Sequence, residues 1–221
     1  MDAQSYESWY ETPRGRWIGE RETALILEGL QPSSGESLLD VGCGTGFFTR
    51  NLSASMDGEV VGVDINQEWL EYARLHSDGR ATFDIADARS LPYATASFDL
   101  VISITALCFI EEQLAAVREI LRVARRRFAI GLLNRHSILW LRKGCGGGTG
   151  GYQGAHWNTV NEVRRLFRDL PVERLRFRTA IQIPTGGPIA RFIERISPST
   201  LTTGAFLLVI GEVTGGAHGQ P

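Results

Sequence analysis

The 221-residue chain predicts an α/β fold, a doubly wound and mostly parallel sheet with helices on both faces. Two observations carry that expectation. Between Leu38 and Asn134, apolar stretches of strand length alternate with amphipathic stretches of helix length, a pattern that implies parallel strands joined by crossover helices. The 43% hydrophobic and 22% charged fractions are those of an ordinary globule, with enough apolar residue to bury a full sheet. One domain over 1–221 is expected, with 1–30 as an N-terminal helical cover, 134–158 as a glycine-rich insertion and 214–221 as a flexible tail.

Each element follows from local pattern. Residues 1–20 form an amphipathic lead-in with Tyr6, Trp9, Tyr10 and Trp17 near helical period, and "ETALILEGL" is helical up to Pro32. "SLLDVG" reads as a first buried strand, "GFFTRNLSASM" as a helix and "EVVGVD" as a second strand. In "NQEWLEYARLH" Asn66 is placed to cap a helix that carries Trp69, Leu70 and Ala73 on one face. "ATFDIAD" and "FDLVISI" are strands three and four. "EQLAAVREILRVA" is a helix with Leu114, Val117, Ile120 and Leu121 inward, and "RVARRRF" is read as its basic C-terminal turn. "RFAIGLLN" is the fifth strand. After the insertion, "TVNE" has capping-box spacing before "VRRLFRDL". "VERLRFRTAIQI" and "GAFLLVIGEV" complete seven strands, with Arg174, Arg176 and Arg178 on one solvated or edge-protecting face.

Charge and cysteine usage exclude several classes of function. A net charge of −2 supplies no global field for nucleic acid or anionic membrane. Cys43, Cys108 and Cys145 are odd in number and widely spaced, so neither a disulfide framework nor a zinc site is indicated and no metal is expected. The polar, aromatic N-terminal stretch has no signal-peptide core, and no apolar run is long enough to span a bilayer. A reduced, cytoplasmic protein is expected.

The chemistry concentrates in "LLDVGCGTGFFT", Leu38 to Thr49. A dinucleotide site wants G-x-G-x-x-G with the pyrophosphate on the helix N-terminus. Here the glycines are Gly42, Gly44 and Gly46, and Phe47 stands where the third is needed. Asp40, just before them, would repel a pyrophosphate and attract an ammonium. Asp64, at the end of the second strand, is placed for the two hydroxyls of an adenosine ribose. A ligand with adenosine, an amino-acid end and no phosphate satisfies both acids, and S-adenosylmethionine is such a ligand.

With these residues the segment resembles the first motif of the class I methyltransferases. "VVGVDINQEWLEYAR" is similar to their second motif, and "DIADARSLPYATASFDLVIS" looks like the corresponding block of the small-molecule branch, which includes the quinone-biosynthesis enzymes of the methyltransferase type 11 group. The resemblance implies a Rossmann-like seven-stranded sheet with an antiparallel last strand. It implies that Gly42, Cys43 and Gly44 bring backbone against the methionine part and that Asp40 meets the ammonium. Asp87 and Ala88 would meet the adenine edge, Ile65 its face, and Trp69 its floor. Thr105 and Ala106 would border the sulfonium. The lead-in would fold over the cofactor as a lid or staple the first helix to the body.

Methyl transfer requires mainly in-line positioning, with a base where the acceptor must lose a proton. The acceptor must approach from the side left open by the cofactor, which the lead-in and the insertion are long enough to wall. Tyr10, Asn134 and His156 are the candidate acceptor-side residues, His156 as a base titrating near neutrality. "LLNRH" follows the fifth strand and points at the same edge, and "GCGGGTGG" lacks a P-loop lysine, which favours a hinge or lid. Asp99 is read as structural, and Cys43 as a filler, not a nucleophile. A small-molecule acceptor is expected, with no nucleic-acid partner. An RNA or protein methyltransferase is disfavoured by "ITAL" where base-methylating relatives carry an N/D-P-P-Y tetrad. A protein that binds S-adenosylmethionine without catalysis stays open at this point.

Overall fold

A computed structural model describes residues 2–214, so Met1 and the tail from 215 onward lie outside the described residues. Seven strands run β1 (Leu38–Val41), β2 (Val60–Asp64), β3 (Ala81–Ile85), β4 (Phe98–Ile104), β5 (Ala124–Leu133), β6 (Val172–Ala180) and β7 (Phe206–Val213). They form one sheet in the order β3-β2-β1-β4-β5-β7-β6. Strands β1 to β5 pair in parallel, and β7 runs antiparallel to both β5 and β6. Among the described residues seven α-helices surround it: α1 (Ala3–Glu11), α2 (Pro13–Leu30), α3 (Phe47–Ser53), α4 (Gln67–Leu75), α5 (Gln113–Val123), α6 (Val160–Leu166) and α7 (Pro188–Ile196). The central strands are buried along most of their length, as a sheet covered on both faces requires.

Local chemistry sets the boundaries. Thr12 caps α2 by accepting from the Gly15 N–H at 3.0 Å, with Pro13 at the first helical position. Consequently α2 starts nine residues before the "ETALILEGL" core suggested. Asn66 caps α4 through the Trp69 N–H at 3.2 Å. Thr159 and Glu162 form the reciprocal capping box at the start of α6. Asp99 accepts from the Ser37 N–H and hydroxyl and pairs with Arg125, which ties β4 to the segment ahead of β1.

Several expectations are corrected. Leu114 is exposed, and α5 buries Ala116 beside Val117, Ile120 and Leu121. Of the run "RVARRRF" only Arg122 and Val123 belong to the basic last turn of α5. Strand β5 begins at Ala124, and Arg125, Arg126 and Arg127 extend from it to Asp99, Glu36 and Glu212. Arg174, Arg176 and Arg178 do not share a face either. Backbone at Arg174 turns left-handed (φ 50°) within a register shift, leaving that side chain exposed on Glu212. Arg176 and Arg178 turn under α2, where they line a small crevice with Leu25 and Gly29. Helix α7 was not foreseen. Its pattern is inverted, with Ile189, Phe192 and Ile196 outward and Ala190 and Glu194 buried, so no inward apolar stripe marks it.

Candidate active site

The carboxyl ends of β1, β2 and β4 meet at the glycine turn. Gly42 adopts φ 76°, and a Cβ there would lie 2.3 Å from that of Ala106. Only glycine lets the turn pass so close to the end of β4. A Cβ on Gly44 would lie 3.1 Å from the Trp69 ring. One carboxylate oxygen of Asp64 holds this turn by accepting from the Gly44 N–H at 2.8 Å, and the other accepts from the Asn66 N–H at the cap of α4 at 2.9 Å. Each oxygen retains lone-pair capacity for a ligand hydroxyl.

Asp40 is buried and accepts from the Thr49 hydroxyl at 2.7 Å through one oxygen. Its other oxygen has no partner. Burial pushes its carboxyl up to about 7, with the charge of Asp64 adding to the rise. Thr105 sits at φ 59°, rare for a side chain with a branched Cβ, and its N–H is held by the Gly131 carbonyl at 2.8 Å. Ile65 is 66% exposed beside Asp64, an apolar face open to a flat ligand. Asp87 chelates Arg89, which lowers its carboxyl to about 2. Ala88 is buried next to it.

Helix α1 lies across the glycine turn. Glu7 accepts from the Thr45 hydroxyl at 2.6 Å and pairs with Arg50 at 2.5 Å. Tyr6 packs on Trp69 with centroids 5.0 Å apart, and Tyr10 stacks on Phe47 at 3.6 Å. The Tyr6 and Tyr10 hydroxyls are 3.4 Å apart. Burial pushes the Tyr6 phenol up to about 12 and raises Tyr10 as well.

Beyond β5 a cavity of about 560 Å³ opens between the start of the insertion and the segment leading into α7. Arg135, His136, Trp140, Gln182, Ile193 and Thr203 are among its walls. The insertion closes on itself at its base. Asn158 donates its N–H to the Leu133 carbonyl, Arg135 donates to the Asn158 carbonyl, and Arg135 pairs with Glu162. Its returning leg crosses the turn after β4, where the His156 N–H meets the Cys108 carbonyl at 2.7 Å.

Residues 39–127 match the family model of the methyltransferase domain. That stretch, from β1 into β5, is a methyltransferase domain by this match. An O-methyltransferase of Pyrenophora dematioidea is 37% identical over 111 residues, covering 48% of this chain and 42% of the relative. The 27-O-demethylrifamycin SV methyltransferase of Amycolatopsis mediterranei is 34% identical over 113 residues, covering 48% and 42%. The chain thus spans less than half the length of these two curated relatives. A crystal structure described as an S-adenosylmethionine-dependent methyltransferase of Thermotoga maritima, possibly acting on histamine, shares the fold at TM-score 0.74 and 21% identity, over 96% of both chains. S-adenosylmethionine is the cofactor of this domain family.

The residues of this methyltransferase domain fit that cofactor. The orphaned oxygen of Asp40 would answer an ammonium, and the closely approached glycine turn would take the amino-acid end. Asp64 is free to accept from ribose hydroxyls while it holds the turn. The candidates Gly42, Cys43, Gly44, Gly46, Asp64, Ile65, Asp87, Ala88, Thr105 and Ala106 come together around the carboxyl ends of the strands. Cys43 has its thiol raised well above the ordinary range by burial, which makes a thiolate nucleophile unfavourable there. Trp69 lies under Tyr6 and against Gly44, a position between the first helix and the glycine turn.

The acceptor-side candidates separate. Asn134 is fully buried, and its amide donates to the carbonyls of Thr202 and Gly204 while accepting from the His136 N–H. Its hydrogen-bonding capacity is used to pin the insertion, so it does not face an acceptor. Tyr10 is buried in the aromatic stack. The His156 side chain is exposed and does not line the cavity beyond β5. The lead-in does not line this cavity: its walls come from the start of the insertion and from 181–205, a segment whose helix the sequence pattern does not mark. Glu7 was also missed. A lone Glu on a polar helix face carries no pattern, and only its tertiary partners give it a role.

Proposed function

We propose that this chain transfers the methyl group of S-adenosylmethionine to a hydroxyl of a small molecule, by in-line displacement. The observation that carries the reading is the pair Asp40 and Asp64 on either side of one glycine turn, the first with a buried unpartnered oxygen and the second bound to the turn itself. Names of the relatives support an oxygen acceptor. The cofactor supplies an activated methyl carbon on a sulfonium. What the chain does is hold and orient.

In this reading Asp40 fixes the ammonium and Asp64 the ribose. Ile65 covers one adenine face, and the backbone at Asp87 and Ala88 meets its edge, leaving the Asp87 carboxylate to Arg89. Thr105 and Ala106 border the sulfonium. Helix α1, latched by Glu7, excludes water, and positioning of the two reactants supplies much of the acceleration. The acceptor enters the cavity walled by 134–158 and 181–205, with the candidate base His156 on the returning leg of the same insertion. Its mixture of apolar walls and a few polar fixtures suits a small molecule, and no nucleic acid is invoked. Among the described residues no helix is long and apolar enough to cross a membrane. The three free cysteines support placement in a reducing cytoplasm, and one domain is taken to comprise the chain.

The test is methyl transfer. Incubation with methyl-labelled S-adenosylmethionine and a small-molecule extract should yield a labelled ether and S-adenosylhomocysteine. Tight cofactor binding with no labelled small molecule would instead favour the non-catalytic reading.

A further inference from the structure

Helix α7 presents an apolar stripe to solvent. Ile189, Phe192 and Ile196 fall on one face at helical spacing and are 74%, 59% and 62% exposed. Polar anchors elsewhere on the helix fix this orientation. Buried Glu194 accepts from Arg21 at 3.1 Å and from the Gln182 N–H at 2.9 Å, and Arg191 donates to the carbonyls of Gly186 and Pro13. The helix cannot roll its stripe inward without breaking those bonds. Large apolar side chains held together in water mark a surface that meets a partner.

The stripe is continuous with the cavity beyond β5. Ile193, one turn from both Ile189 and Ile196, lines that cavity together with Ile138, Leu141 and Leu201, and Leu141 is itself 67% exposed. The charge around it is one-sided. Segments 134–158 and 181–205, which wall the cavity, hold five cations, Arg135, Arg142, Lys143, Arg191 and Arg195, and one acid, Glu194. That acid is buried on Arg21, and Arg135 is matched by Glu162. Arg142, Lys143 and Arg195 are exposed and form no ion pair among the described residues. Arg195 stands one turn after Phe192, and Arg142 and Lys143 directly follow Leu141. A chain of net charge −2 therefore gathers unpaired cations beside an exposed apolar stripe.

We propose that α7 and residues 138–143 dock on an anionic lipid surface, and that the acceptor is an apolar, membrane-dissolved molecule that enters the cavity from it. The second clause rests on the proposed methyl transfer, and the first does not. Ile189, Phe192 and Ile196 would sink to the boundary of headgroups and acyl chains while the flanking cations meet lipid phosphates, the division of labour of interfacial helices. Other occupants satisfy only half of the surface. A second copy of this face would bring like charges together, and a nucleic acid would leave the apolar stripe in water. Side chains that project from a helix, with no groove around them, suit a fluid apolar layer that moulds to them.

Co-sedimentation of the whole protein with vesicles tests the docking without any acceptor. Wild type should bind mixed phosphatidylserine and phosphatidylcholine vesicles on the order of a hundredfold more tightly than phosphatidylcholine alone, at about fivefold for each of three unpaired cations. Phe192→Asp should weaken that binding roughly tenfold or more, and so should Arg142→Glu combined with Lys143→Glu. Leu75→Asp, at an apolar site on α4 that is 81% exposed, should leave it unchanged. All these positions are on the surface, so melting temperature should match wild type and separate lost docking from unfolding. Docking is overturned if wild type ignores anionic vesicles, if it binds neutral ones as tightly, or if Phe192→Asp binds like wild type. A dimer in sedimentation velocity that Phe192→Asp dissociates, without vesicle binding, assigns the stripe to a second copy instead. For the acceptor, methyl-labelled S-adenosylmethionine with a total lipid extract should give label that partitions into organic solvent. Label confined to water-soluble products overturns the acceptor clause, whereas vesicle binding with no label anywhere upholds the docking and counts against methyl transfer.

Discussion

Glu7 of the first helix accepts a 2.6 Å hydrogen bond from the hydroxyl of Thr45, inside the glycine turn. The same carboxylate pairs with Arg50, whose guanidinium also donates to the Thr45 carbonyl. The lid and the cofactor turn are thus one unit. Glu7→Ala should free the lid and lower affinity for S-adenosylmethionine on the order of tenfold, about 1.4 kcal/mol, chiefly through faster dissociation. Stopped-flow release of the cofactor measures it, and an unchanged off-rate would separate the lid from binding.

Asp64 holds the turn and, in the proposed reading, meets the ribose. Asp64→Ala should cost S-adenosylhomocysteine on the order of tenfold to a hundredfold in Kd, from charge-assisted hydrogen bonds worth roughly 1.5–3 kcal/mol. The Gly44 and Asn66 amides lose their acceptor as well, so hydrogen exchange at both should quicken even without ligand. Unaltered exchange and unaltered affinity together would remove both roles.

Asp40 makes binding depend on pH. Its folded carboxyl is raised to about 7, above the ordinary value near 4. The stability it contributes is therefore whole below pH ~4 and is lost as the pH climbs through about 7. Asp40→Asn removes that loss, so the ligand-free variant should melt above wild type in mildly alkaline buffer and below its relative advantage in acid. An ammonium placed beside Asp40 favours the carboxylate, so binding below the raised value should release up to one proton. Calorimetry in two buffers of different ionisation enthalpy reads that proton. Binding without proton release at pH ~6 would show that the ammonium lies elsewhere.

Asn134 should behave as a structural residue. Asn134→Ala leaves the carbonyls of Thr202 and Gly204 and the His136 N–H without partners, at about 1–3 kcal/mol for each orphaned group. At about 2–4 °C for each kcal/mol the melting temperature should drop by roughly 6–12 °C or more, and hydrogen exchange should accelerate across 134–158 and 202–205. A variant as stable as wild type but catalytically silent would return Asn134 to the acceptor side.

Much of the fold was legible because its signals are local. The caps at Asn66 and Thr159 and the buried runs of β1, β2, β4 and β5 depend on neighbouring residues only. Gly42 and Asp64 were legible for the same reason, since a tight turn and a strand-end acid fix their own surroundings. The misses share the opposite cause. Helix α7 turns its apolar face outward, Arg125 to Arg127 are held by partners far along the chain, and Asn134 looks like a loop-edge polar residue until Thr202 and Gly204 arrive from 70 residues away. Glu7 looks like any acid of a polar helix face in sequence, and only its bonds to Thr45 and Arg50 give it a role.

The most direct measurement of the central claim is calorimetric titration of the protein with S-adenosylmethionine, S-adenosylhomocysteine and NAD. The account predicts one site per chain for the first two, weakened by Asp64→Ala, and no competition from NAD. Saturable binding of NAD in their place, or no binding of either sulfur ligand by a folded protein, would contradict it.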